Sequence, residues 1–332
     1  MSARVETEWT YRNLRALVLE NEILRLDILP ELGAKVYNLI HKKADRNVLW
    51  HNPRVTPHRA PFGANFDNHW AGGWDEPFPN GAECDYAGER LPYLGELWAL
   101  EWAWEIVEGG PKEVKVHLWC DGPITPARVE KTITLEAGSR IIRFDHRITN
   151  TGVLPFDFNW GIHPAFAVTP RSRIDLPLCH GVVAEAVGGA LGDVEATFSW
   201  PYVPTPKEGE MGDLRFPLPQ EAATMSFSYL EGMEHGWLAV TDRCSDSGFG
   251  LVFPHDIFRC MWLYLCYGGY RDLNVAIVEP WIGYPSKLSE TVMAARHRTL
   301  AARERLEATI YGIAYAGVQS VSFIDAGGEI RP

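Results

Sequence analysis

The 332-residue chain is poor in the features that most readily announce a function. Its six cysteines are scattered, with no C-x-x-C pair, so neither a zinc site nor a disulfide framework is signalled. Reduced thiols fit a cytoplasmic compartment. Lysine and arginine total 31 against 43 acidic residues, a formal net charge of -12, and no basic cluster stands out. Phosphate backbones are held by clustered Lys and Arg, which argues against a nucleic-acid partner. No apolar run approaches a membrane span, and the polar opening residues 1–13 lack the apolar core of a signal peptide, so no membrane partner is expected. There is no G-x-G-x-x-G after a strand pattern, and no G-x-x-x-x-G-K-[ST], H-E-x-x-H or G-x-S-x-G. A dinucleotide, a nucleotide phosphate, a zinc-protease helix and a serine elbow are therefore unsupported. Neither a cofactor nor a metal is expected.

What is present is a large hydrophobic content, 46% against 22% charged, enough for a sizeable core. Residues 13–20, 23–30 and 34–41 alternate apolar and polar with period two, as half-buried strands do. Similar patterns run over 101–108, 113–120, 128–135, 140–149, 236–242, 249–253, 258–266, 273–279, 291–301 and 305–316. Residues 155–168 read as a strand entering a loop, and 180–235 as a weakly patterned excursion over the core. Ala294 to Glu307 has some helical propensity but is read as strand, turn near Ala302, strand. With no linker and no fixed-period repeat, the expectation is one all-β domain over 1–332, a large antiparallel β-sandwich. Residues 318–332 would form a small C-terminal hairpin or a tail.

The densest stretch is 65–104. It carries Trp70, Trp74, Trp98, Trp102 and Trp104 among carboxylates, amides and His69, broken by glycines and prolines. Long irregular segments in compact chains are usually functional. Aromatic rings beside fixed polar groups suit a pyranose, which has an apolar C–H face and a rim of hydroxyls. Two further residues stand out. His163 precedes Pro164, which restricts it to an extended backbone and gives the imidazole a defined direction. Glu279 closes an apolar strand and is followed by Pro280, Trp281 and Tyr284; a carboxylate there is costly to bury unless it has work to do.

At these residues the chain resembles the aldose 1-epimerase (galactose mutarotase-like) family. The resemblance rests on His163-Pro164-Ala165-Phe166 in mid-chain, Glu279-Pro280 near the C-terminus, the Gly72-to-Gly81 segment and Leu91 to Trp98. It implies a twisted antiparallel β-supersandwich that binds a sugar in an open cleft on one concave face. It also implies isomerase chemistry, with His163 as acid to the ring oxygen and Glu279 as base to the C1 hydroxyl, on opposite sides of a ring-sized gap. His69 is the candidate for a second His. Trp74, Asp75, Glu76, Glu96, Trp281 and Tyr284 are candidates for hydroxyl binding and stacking, and residues 65–104 for one wall of the cleft. Two departures mark this chain: Leu94 where many relatives carry His, and Ala165 where an aromatic is usual. The competing readings are a non-catalytic sugar-binding protein and a sugar hydrolase or lyase pairing Asp75 or Glu96 with Glu279. The partner is a small-molecule sugar, neutral rather than strongly anionic given the charge, with Arg271 the candidate exception. Monomer and homodimer both fit the sequence.

Because no ligand cluster or phosphate loop is present, activity is expected to survive exhaustive chelation. Loss of turnover that a single added metal ion restores would refute this.

Overall fold

The computed structural model describes residues 2–332. Two antiparallel sheets hold most of the chain. The smaller has eight strands, ordered Ser172–Asp175, Trp237–Asp242, Ser247–Val252, Arg305–Ala316, Ile141–Asn150, Ala127–Glu136, Glu113–Asp121 and Ala103–Gly109. The larger has fourteen, thirteen along one path and the short Arg46–Asn47 paired off it with Lys35–His41. Its path runs from Arg4–Tyr11 through Leu14–Glu20, Leu24–Leu29, Lys35–His41, Trp74–Asp75 and His163–Phe166 to Asn274–Trp281. It continues through Cys260–Tyr267, Thr224–Glu231, His180–Val187, Thr197–Ser199 and Tyr202–Pro204 to Met211–Asp213. The architecture is the antiparallel β-sandwich expected from the alternating patterns. No helix among the described residues is long and apolar enough to cross a membrane.

Period-two alternation explains which way each side chain points. In Ile141–Asn150, Ile142, Phe144 and Ile148 are buried, whereas Arg143 and Arg147 point outward. The middle of the large sheet buries both faces. Leu263, Leu265, Ala276, Val278 and Phe166 pack inward with Val129, Ile133 and Phe144 of the small sheet. Their neighbours Trp262, Ile277, Trp281 and Ala165 face the other way, into a second cluster with Trp50, Phe66, Trp70 and Trp98. That second cluster exists because the 65–104 segment folds over the outer face of the sheet.

One polar group crosses the interior. Glu76 Oε1 accepts from Lys131 Nζ at 2.8 Å and lies 3.1 Å from His146 Nε2. Lys131 and His146 are cross-strand partners in the small sheet. Lys131 also donates to the Ala34 carbonyl at 3.0 Å and sits 5.5 Å from the Trp102 ring. Burial alone would raise the Glu76 pKa, but Lys131 and His146 outweigh it and hold the carboxyl at about 2.

Three expectations are corrected. Residues 180–235 are no excursion: they supply His180–Val187, Thr197–Ser199, Tyr202–Pro204, Met211–Asp213 and Thr224–Glu231, one whole flank of the large sheet. Glycines and short strands hid the period. The strand expected over 291–301 begins as a short helix, Leu288–Met293, before the strand Arg298–Leu300. The edge strand Arg4–Tyr11 went unrecognised because no buried face imposes an apolar alternation on it. At the C-terminus, Phe323–Ile324 pairs with Ile330–Arg331 as a small hairpin.

Lys131→Met leaves the Glu76 carboxylate without its ammonium in the interior. It is expected to lower the unfolding free energy by about 3–5 kcal/mol, read from urea midpoints. The same linkage has a pH window. The Glu76 contribution is complete above the ordinary carboxyl value of 4.5 and is lost as pH falls toward about 2. Wild-type stability in Lys131→Met would show the pair to be energetically idle.

Candidate active site

The site follows from strand register. Ala165 pairs with Ile277 and Phe166 with Ala276, while on the other side of His163 a bridge joins Gly161 to Trp281. In an antiparallel pair the two residue numbers keep a constant sum, here 442 from each pairing, so His163 stands opposite Glu279. The Ile162 N–H donates to the Pro280 carbonyl at 3.0 Å, which makes 162 and 280 a hydrogen-bonded pair. Hydrogen-bonded and open pairs alternate, so His163 and Glu279 form an open pair, whose side chains approach most closely, with Cβ atoms roughly 4.5–5.5 Å apart. Pro164 and Pro280 both lie in this seam and contribute no N–H to it. The gap in the ladder at His163 follows from those two missing donors.

The row extends across the sheet. His163 pairs with Asp75, and Val36 with Trp74, which sets Lys35 opposite Asp75. On the other flank Glu279 pairs with Trp262, Trp262 with Tyr229, and Tyr229 with Val182. The order is amine, carboxylate, imidazole, carboxylate, indole, phenol, all on the outer face. Above its middle lies a cleft of about 510 Å³, sized for a small ligand, with both His163 and Glu279 in its lining. They are cross-strand neighbours on its floor and do not face each other across a gap as expected from sequence.

Each of the two is buried and short of partners. Glu279 is 3% exposed, and its Oε2 accepts one hydrogen bond, from Trp281 Nε1 at 2.9 Å. Burial raises its pKa to about 8, against the lowering effect of that indole donor. His163 is 5% exposed and packs edge-on against the rings of Phe66 and Trp70, at 5.9 and 5.7 Å. Burial lowers its pKa to about 4, with Asp75 pulling up and Lys35 pulling down. Near neutral pH the pair is therefore uncharged, with one proton on Glu279. Trp281 stacks on Trp262 at 3.7 Å, and the backbones of Gly161 and Gly81 press on this stack. A Cβ at Gly161 would fall 2.2 Å from the Trp281 ring, and one at Gly81 would fall 2.4 Å from Trp262.

The remaining sequence candidates scatter. Trp74 points inward against Phe144, at 4.7 Å. Asp75 is on the outer face but does not line the cleft; its Oδ2 accepts from Lys35 Nζ at 2.5 Å. Glu76 is the interior ion-pair group described above. Glu96 accepts from the Ile124 and Thr125 amides at 2.8 and 3.0 Å and from Thr125 Oγ1 at 2.6 Å, and burial raises its pKa. These four are structural, and the carboxylate pairing that a hydrolase would need from Asp75 or Glu96 is not formed in the cleft. Trp281 underlies Glu279 without lining the cleft, and Tyr284 lines a neighbouring groove instead. His69 is outside the cleft, its Nδ1 2.7 Å from His58 Nε2. Arg271 does line the cleft, and it donates to the Asp67 carbonyl and Asn68 Oδ1, both at 2.9 Å.

Residues not named among the site candidates complete the walls, some of them from the segment expected to form one. Phe66, Asp67, Trp70, Tyr93 and Leu94 come from the 65–104 segment; Phe227, Trp262, Tyr264 and Glu185 come from the sheet. The apolar Leu94 side chain thus occupies the cleft lining at the position where the resemblance leads one to expect an imidazole. For the sheet residues the available signal was parity, which becomes readable once the partner strands are known: Ile277, Tyr264, Phe227 and Glu185 form the next row.

With this geometry in place, comparison with solved structures finds the same fold. A galactose mutarotase-like protein from Clostridium acetobutylicum superposes with a TM-score of 0.67 at 11% identity, covering 95% of this chain and 99% of its own. A Klebsiella pneumoniae protein provisionally named an aldose 1-epimerase gives 0.71 at 11% identity, covering 94% and 83%. A galactose mutarotase-like protein from Lactobacillus casei gives 0.59 at 16% identity, covering 90% and 100%. At such identities the likeness is one of fold. No protein-family model and no curated protein sequence matches the chain.

The Glu279 carboxyl is expected to be protonated at neutral pH and to titrate with a midpoint of about 8, followed by carbon NMR of labelled glutamate. A midpoint in the ordinary carboxyl range would contradict the desolvated floor.

Proposed function

We propose that the chain interconverts the α and β anomers of a reducing aldose. The observation that carries this reading is the His163–Glu279 pair, held in register on the floor of a sugar-sized cleft; burial favours the neutral form of each, which leaves the pair one dissociable proton near neutral pH. Ring opening needs one proton delivered to the ring oxygen and one removed from the C1 hydroxyl. These are adjacent positions on one edge of the ring, and cross-strand neighbours can reach both. After rotation about C1–C2 the ring closes by the reverse transfers, and the pair returns to its starting state.

The resting proton lies on Glu279, yet the roles expected from sequence survive. Moving that proton to His163 gives a tautomer with imidazolium beside carboxylate, at the same total protonation. Burial makes this tautomer rarer and also more reactive: a lowered His pKa makes its conjugate acid a better donor, and a raised Glu pKa makes its carboxylate a better base. In that form His163 protonates the ring oxygen while Glu279 takes the hydroxyl proton. Phe66, Trp70, Tyr93, Phe227 and Tyr264 offer apolar faces to the C–H surface of the sugar. Asp67, Glu83 and Glu185 outnumber Arg271 in the lining, and Arg271 is already engaged with Asp67 and Asn68, which favours a neutral sugar over a phosphorylated one.

Saturation-transfer NMR across a panel of reducing sugars tests the reading. His163→Asn and Glu279→Gln should retain sugar binding and lower anomeric exchange by roughly two to four orders of magnitude. The wild-type rate should follow a bell. It falls below about 4, where His163 gains a second proton for the pair and no base remains, and above about 8, where the pair loses its proton and no acid remains. Wild-type exchange in both variants would overturn the acid–base assignment. Sugar binding without any acceleration by wild type would make the cleft a binding site alone.

A further inference from the structure

A second hollow of about 620 Å³ lies on the same face of the large sheet. It is a continuation of the catalytic row. Beyond Glu279 and Trp262 the row passes to Tyr229, then Val182, then Thr197, and these last three line the second hollow. Tyr229 stands at the border, lining the second hollow and touching residues of the cleft. The Tyr229 ring meets Phe227 and Trp262 of the cleft edge-on at 5.1 and 5.5 Å, and its hydroxyl accepts from the amide of Ser286, which lines the cleft. From the Glu279 strand to the His180–Val187 strand is three strand spacings, roughly 14 Å.

The lining of this hollow has the mixture that suits a saccharide. Tyr202, 48% exposed, presents a ring at the outer wall, where Arg215 braces it with a guanidinium 5.3 Å from the ring and a hydrogen bond of 2.9 Å to its hydroxyl. His180 and Ser199 stand together, Nδ1 to Oγ at 3.1 Å, as a donor–acceptor pair on the floor, with Glu231 alongside. None of these groups has a part in the proton transfers at His163 and Glu279.

We propose that this hollow is a subsite for a second sugar unit, so that the ligand is the reducing end of a neutral oligosaccharide. The inference rests on the reading of the cleft as a reducing-sugar site, and the orientation follows from it. The ring oxygen and C1 must face His163 and Glu279. With the ring lying along the row, over Trp262, its opposite edge, which carries C3 and C4, faces Tyr229 and the second hollow. A unit attached through O3 or O4 enters the hollow. One attached through O6 leaves from beside the ring oxygen and misses it.

Anomeric exchange of glucose, cellobiose and gentiobiose tests this on the full chain, with Tyr202→Ala and the space-filling Ser199→Trp as variants. The 1→4-linked cellobiose should show a KM about five- to tenfold below that of glucose, the worth of one stacking contact, and gentiobiose should show no such gain. Both variants should remove the cellobiose advantage and leave glucose exchange unchanged. If glucose is turned over but cellobiose has no advantage, or keeps it in both variants, the subsite is overturned while the mutarotase reading stands. If no sugar is turned over, calorimetry with methyl β-cellobioside, which cannot mutarotate, decides. Binding by wild type that Ser199→Trp abolishes supports the subsite, whereas no binding, or equal binding by both, overturns it.

Discussion

The antiparallel register between His163–Phe166 and Asn274–Trp281 is the constraint on which the rest of the site depends. A slip of one residue would turn His163 or Glu279 into the core and expose a residue meant for the interior. Because both faces of the sheet are buried at this point, the register has no freedom: Phe166, Val278 and Leu263 must face the small sheet. Core packing on one face therefore sets the chemistry on the other. The prolines that follow His163 and Glu279 remove ladder donors at this seam, and packing above and below makes up for them.

Desolvation then does what no charged neighbour could. Glu279 has one indole donor and His163 has two aromatic edges, so each is pushed toward its neutral form, the carboxyl upward and the imidazole downward. The two shifts act in opposite directions on the pH scale and open a wide interval in which the pair holds one proton. The reaction proposed for the cleft conserves protons and calls for such a pair. Lys35 and Asp75, next along the row, neutralise one another and exert opposing pulls on His163, so burial dominates.

The 65–104 segment illustrates how adjacent residues part company. Trp74, Asp75 and Glu76 are consecutive, yet Trp74 and Glu76 enter the sandwich while Asp75 stays on the outer face. Their density suggested a binding wall, and the wall comes from elsewhere in the segment: Phe66, Asp67 and Trp70 from its start, Tyr93 and Leu94 from its second half. Glu96 looked equally available and is consumed by the Thr125 turn. A carboxylate among aromatics in sequence can be ligand-binding or a structural ion-pair partner, and the two differ by which cation the fold brings to it.

The sequence by itself determined the all-β class and most strand positions, because period-two burial is written locally in alternating residues such as 141–150. It also singled out His163, whose backbone Pro164 restricts, and Glu279, a carboxylate that closes an apolar run before Pro280. Tertiary structure alone decided that these two are neighbours, separated by more than a hundred residues of chain and joined by a strand pairing that no local pattern encodes. It decided that Asp75, Glu76 and Glu96 are structural, because their partners Lys35, Lys131 and Thr125 arrive from other strands and turns. It decided that the 180–235 region, unpatterned in sequence, builds the flank bearing Glu185, Phe227 and the second hollow. The physical reason is the same in each case: a residue's own neighbours set its backbone and its parity, whereas charge pairing, burial on the second face and the shape of a cleft are properties of contacts distant in sequence.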